Sequence, residues 1–142
     1  MRYISCRILS IRQESANMNR GSKSGNPELE LDRWSLEIRR GALSLAILTI
    51  IIDGESYGYD IMRKLSEEKY SALQVEPSTT YPLLRRLEKR GMLEGRWDDS
   101  EGKRKKYYYI TRQGRMILKR MVENWKTLNH QLMLLVEEAG LQ

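Results

Sequence analysis

The residues whose types could do chemistry are cations in the second half of the chain. Arg85, Arg86 and Lys89 form one group, and Lys103, Arg104, Lys105 and Lys106 form another. Guanidinium and ammonium groups at this density attract phosphate, and counterion release favours their seating on a nucleic-acid backbone. No other constellation competes with them. Cys6 and His130 supply at most two of the four ligands that a structural zinc wants, and a lone cysteine makes no internal disulfide. Asp98, Asp99 and Glu101 lack the spaced oxygen ligands of a calcium loop. Nothing resembles a paired acid and base, a nucleophile with its base, or a glycine-rich phosphate cradle. The sequence points away from an enzyme, and neither metal nor cofactor is expected.

These groups belong to a chain of 142 residues with 25 Lys+Arg against 19 Asp+Glu, a net charge of +6. The excess concerns partners rather than fold. At 40% hydrophobic residues there is material for one core, although a small domain buries a lower fraction of its surface and dimerisation would help. Arg2, Arg7 and Arg12 interrupt the apolar start of the chain, so no signal peptide is expected. The most apolar run, residues 42–52, falls short of the roughly 20 residues needed to span a membrane. A cytoplasmic protein without membrane attachment is the expectation. Residues 1–28, rich in Ser, Asn and Gly in their second half, are expected to form a flexible arm, either a basic tail touching DNA or a mobile appendage.

The elements that must position the cations follow from periodicity. A helix is expected from Asp32, with Trp34, Ile38, Leu45 and Leu48 near one face, until Asp53 and Gly54. After a turn at residues 55–58, a second helix carries Ile61, Met62 and Leu65 inward and ends before Val75. The third helix follows Pro77, with Thr79 or Thr80 as its cap and Pro82 in its first turn. Taking Tyr81 as the origin and about 100° per residue, Arg85, Lys89 and Arg86 fall at roughly 40°, 80° and 140°. Leu83, Leu87 and Leu84 fall at roughly 200°, 240° and 300°, so one face is basic and the other is core.

Residues 92–97 and 105–110 read as two strands around a polar loop, a β-hairpin. Thr111 is then the expected cap of a long helix. Within it Leu118, Met121, Trp125, Leu128, Leu132 and Leu135 recur at heptad spacing, a seam that calls for a partner helix. The order of elements is that of a winged helix-turn-helix: mainly α, a small β-hairpin, and a long C-terminal dimerisation helix. Residues 29–111 would form the DNA-binding domain and residues 112–142 the dimerisation helix. A module of this layout that docks on protein instead of DNA is the alternative, but protein interface cores are depleted in Lys.

The motifs also carry a family likeness. GYDI at residues 58–61, TYPLLRRLEKRGML at residues 80–93, and GKRKKYYYIT at residues 102–111 with Gly114 together resemble the PadR family of transcriptional regulators. The single C-terminal helix is similar to the compact branch that contains multidrug-responsive repressors. This resemblance implies a homodimer, held by the C-terminal and first helices, on palindromic operator DNA. It implies a recognition helix over residues 78–90, with Ser78, Thr79, Thr80 and Tyr81 at the groove, and Arg85, Arg86 and Lys89 beside phosphate or base edges. Lys103, Arg104 and Lys105 would form the wing contact. Arg86 and Arg90 have the alternative of pairing with Glu88 or Glu94. The three acids before the basic run weigh against deep insertion of the wing and are expected to face away from the duplex. Trp125 matches the position of an aromatic that stacks on planar effectors in multidrug-sensing relatives. Its other reading, filling the dimer core, is favoured by the seam. Trp34 and Trp97 are expected to be packing residues.

Overall fold

The computed structural model describes residues 25–141. Of these, the residues up to Trp34 belong to one compact unit and those from Ser35 onward to another. Most of the expected arm lies outside the described residues, and its last part is already helical. The first helix, α1, runs Pro27–Ile51, starting ahead of Asp32 because Asn26 Oδ1 accepts from the Glu28 amide at 3.1 Å and Pro27 suits a first helical position. Trp34 is exposed, and so is Ile38. The face that enters the core is instead Leu43, Ile47, Leu48 and Ile51.

A two-residue strand, β1 (Ser56–Tyr57), occupies the expected turn and leads into α2 (Gly58–Leu65). The second helix is therefore shorter than its sequence pattern. Ser66 ends it by turning its hydroxyl back onto the Met62 carbonyl at 2.8 Å, a local bond that competes with helix continuation. A 3₁₀ segment, Glu68–Leu73, fills the distance to α3 (Pro77–Lys89).

Strands β2 (Leu93–Asp98) and β3 (Lys105–Ile110) form the hairpin, and β1 adds to the far edge of β3, giving an antiparallel sheet of order β1-β3-β2. The register sets Trp97 opposite Lys106, Gly95 opposite Tyr108, and Tyr57 opposite Tyr107. The last helix, α4, spans Arg112–Glu138, capped as expected by Thr111, whose hydroxyl accepts from the Gly114 amide at 2.9 Å. That hydroxyl also donates to the Gly91 carbonyl at 2.6 Å, tying the start of α4 to the end of α3. One core joins Ile47, Ile61, Leu84, Leu93 and Tyr108 with Leu118 of α4. No helix among the described residues is long and apolar enough to cross a membrane.

Candidate nucleic-acid interface

The helix α3 begins earlier than its hydroxyl residues suggest. Pro77 takes the first helical position and Glu76 the cap, with no side-chain capping bond. Proline pre-sets the φ angle and lacks only a donor that would be unpaired there anyway. Thr79 and Thr80 are therefore inside the first turn, their amides bonded to the Glu76 carbonyl at 2.8 and 3.3 Å. Pro82 lies deeper in the helix than expected, leaving the Ser78 carbonyl without its helical donor.

This start decides which hydroxyls can be offered to a ligand. On the same wheel Ser78 falls at roughly 60°, among Arg85 and Lys89, whereas Thr80 falls at roughly 260°, between Leu87 and Leu84. Thr80 is correspondingly fully buried, beside a cavity of about 290 Å³ shared with Met62, Leu65 and Val75. Its hydroxyl has no hydrogen-bond partner among the described residues. The expectation that Thr80 faces a groove is corrected on this point. Ser78 is exposed, Thr79 half-buried, and Tyr81 keeps 42% of its surface while its ring covers Gly58.

Arg85, Arg86, Lys89 and Arg90 are all exposed. Among the described residues none of them enters an ion pair, because Glu88 is engaged by Lys106 at 2.7 Å and Glu94 by Arg96 at 3.0 Å. Glu94 holds the Arg96 guanidinium above its ordinary pKa, mainly through that hydrogen bond. The free cations of α3 thus form an unneutralised stripe. The helix stops where Gly91, at φ 75°, lets the Met92 amide return to the Leu87 carbonyl at 2.9 Å, the closure that suits a glycine after a helix end.

The wing is less free than the helix. Lys103 is exposed and outside the ion pairs, but Arg104 lies 3.7 Å from Asp99 and Lys105 lies 3.4 Å from Glu101. Asp99 and Glu101 of the loop therefore lie against the wing cations. Asp98 is tied differently: the Ser100 amide donates to it at 2.9 Å and holds its carboxyl below the usual range. The Arg104 guanidinium also stacks over Trp97, 4.3 Å from the ring centroid. Trp97 is 54% exposed, a correction to its expected packing role: its ring lies under the wing cations Arg104 and Lys106 rather than in the core.

A groove of about 540 Å³ opens between α3 and the hairpin, walled by Tyr59, Tyr81, Trp97 and Tyr108 and edged by Arg85 and Lys105. Burial pushes the Tyr108 phenol up from its ordinary pKa. Sequence reasoning missed Tyr59 and Trp97 as members of this surface. Their meeting in one groove depends on the tertiary approach of α2, α3 and the hairpin, which no local pattern announces. Tyr109, on the other face of the sheet, donates its hydroxyl to Glu55, under the stacked Arg96.

The expected seam of α4 divides in two. Leu118 is only 6% exposed and Met121 packs against the same core, so these two belong to the winged-helix unit itself. The cause is Gly114: a Cβ there would stand 2.1 Å from the Met92 carbonyl oxygen, and its absence lets α4 close onto the end of α3. Beyond that contact Trp125, Leu128, Leu132 and Leu135 are exposed along one helix.

Residues 47–120 match the family described as transcriptional regulator PadR-like. A transcriptional regulator of Mycobacterium tuberculosis is 35% identical over 82 residues, covering 58% of this chain and 74% of that protein. The crystal structure of a PadR family transcriptional regulator from Eggerthella lenta superposes with a TM-score of 0.69 at 32% identity, over 78% of this chain and 95% of that one. Bacillus subtilis PadR, solved in complex with operator DNA, aligns at 32% identity and a TM-score of 0.53, over 56% of this chain and 46% of its own. With the winged helix and its long C-terminal helix both in place, the chain belongs to the PadR-like family of transcriptional regulators.

Proposed function

We propose that the protein binds operator DNA as a homodimer and represses transcription by occupying promoter sequence. The observation that carries this reading is the stripe of Arg85, Arg86 and Lys89 on the exposed face of α3, unpaired among the described residues. In this reading α3 enters the major groove, Ser78, Thr79 and Tyr81 approach the backbone at its N-terminal end, and Lys103, Arg104 and Lys105 meet phosphate on the flank. The operator complex of Bacillus subtilis PadR supports the partner.

The exposed seam of Trp125, Leu128, Leu132 and Leu135 supports the dimer, since contiguous apolar side chains on a soluble helix call for cover. Trp125 fills that seam. A planar aromatic effector reaching the dimer would stack on it and relieve repression. Quenching of Trp emission by a planar dye in the wild type, lost in Trp125→Ala, is the expected signature, and equal quenching in both excludes it.

The direct experiment on the DNA reading is the double variant Arg85→Ala with Lys89→Ala. Operator affinity is expected to fall by about two orders of magnitude, at about 1–3 kcal/mol for each contact that reads a base, with the oligomeric state unchanged. A double variant that binds as tightly as the wild type removes α3 as the recognition helix.

A further inference from the structure

One carboxylate stands out on the element that would face phosphate. Glu88 is the single acid of α3, and on the helical wheel it falls at roughly 340°, between the basic face and the core. A negative charge there repels a polyanion unless something else uses it. Both of its oxygens are used: Oε2 accepts from Lys106 Nζ at 2.7 Å, and Oε1 accepts from the Gly95 amide at 3.2 Å. Gly95 belongs to β2 and Lys106 to β3. The side chains of the pair keep only 30% and 23% of their surface, and the ammonium lies 5.3 Å from the Tyr108 ring centroid.

Gly95 is fitted to the same contact. A Cβ built on it would lie 2.6 Å from Glu88 Oε1 and 2.3 Å from Lys106 Cε, so the ion pair fills the space that a side chain would take. Lys106 is thereby withdrawn from the cations that the wing presents. We infer that Glu88 is a positioning residue for DNA binding: through Lys106 and the Gly95 amide it locks α3 to both strands of the hairpin and sets the separation of the two DNA-contacting elements. The inference rests on the DNA-binding reading above. With the lock in place, the second element reaches the duplex without a further ordering cost, which is how preorganisation raises affinity.

The test exploits the sign of the charge. Glu88→Gln removes a negative charge from the DNA face, so simple electrostatics predicts tighter binding. The lock predicts the reverse, about five- to tenfold weaker operator binding at fixed salt from the restored ordering cost. It also predicts a shallower dependence of log K on log salt as wing cations disengage. The double variant Glu88→Gln with Lys106→Gln keeps the net charge and should be weakened likewise. The exchanged pair, Glu88→Lys with Lys106→Glu, restores the ion pair but not the acceptor for the Gly95 amide, so it should recover only part of the affinity. Binding by both neutralised variants as tight as, or tighter than, the wild type, with the same salt slope, overturns the inference.

Hydrogen exchange at the Gly95 amide in the free protein separates this inference from the broader reading. Faster exchange in Glu88→Ala, which leaves no side-chain acceptor for this amide, supports the lock, and unchanged exchange overturns it, whether or not the wild type selects a DNA sequence. Absence of sequence-dependent binding by the wild type, with the Gly95 amide still released in the variant, counts against the DNA reading alone.

Discussion

Thr111 and Gly114 stand three residues apart and act on one joint. The threonine hydroxyl binds the Gly91 carbonyl and the Gly114 amide, and the missing side chain of Gly114 allows the Met92 carbonyl to sit where a Cβ would be. Gly114→Ala should therefore cost about 1–3 kcal/mol, because backbone rather than a movable side chain occupies the space. Urea or thermal unfolding checks this, and an unchanged midpoint would mean that α4 shifts freely at its start. The cap at Thr111 was legible in the sequence, since a hydroxyl residue after a strand and before a periodic run is a local signal. The burial of Thr80 was legible too, through its angle among Leu84 and Leu87, but its hydroxyl suggested a cap and Pro77 moved the helix start past it.

The hairpin carries its own attenuator. Asp99 and Glu101 lie against Arg104 and Lys105 in exposed pairs, and such pairs stabilise by only about 0–1 kcal/mol. Removing both acids, Asp99→Asn with Glu101→Gln, should leave stability nearly unchanged while freeing two cations. DNA affinity near 0.1 M salt should rise several-fold, and the salt slope should steepen by about one to two. Titration at several salt concentrations checks it, and an unchanged slope would show that the wing stays clear of the backbone. Removing acids here and removing Glu88 thus have opposite expected effects. The hairpin itself was readable because two aromatic or apolar segments flank a polar loop. The strand β1 was not, because a two-residue strand exists only by pairing with β3, far along the chain. The early end of α2 also escaped the sequence pattern, since the polar run after Leu65 suits helix and 3₁₀ turn equally.

At the scale of the whole molecule, and among the described residues, the winged-helix unit presents an unneutralised stripe on α3, and the free half of α4 presents an uncovered apolar seam. The heptad spacing announced the seam, but it could not show that Leu118 and Met121 are consumed by the unit's own core, which depends on the approach permitted at Gly114. A dimer closed along Trp125, Leu128, Leu132 and Leu135 would carry two copies of α3 related by a twofold axis, and such a pair reads two half-sites. Footprinting on duplexes selected from a random pool by the wild-type protein is the most direct measurement of this account. The result it predicts is a pseudo-palindrome protected at two half-sites about one helical turn, roughly 34 Å, apart. Uniform protection of unrelated sequences, or a single protected half-site, would contradict it.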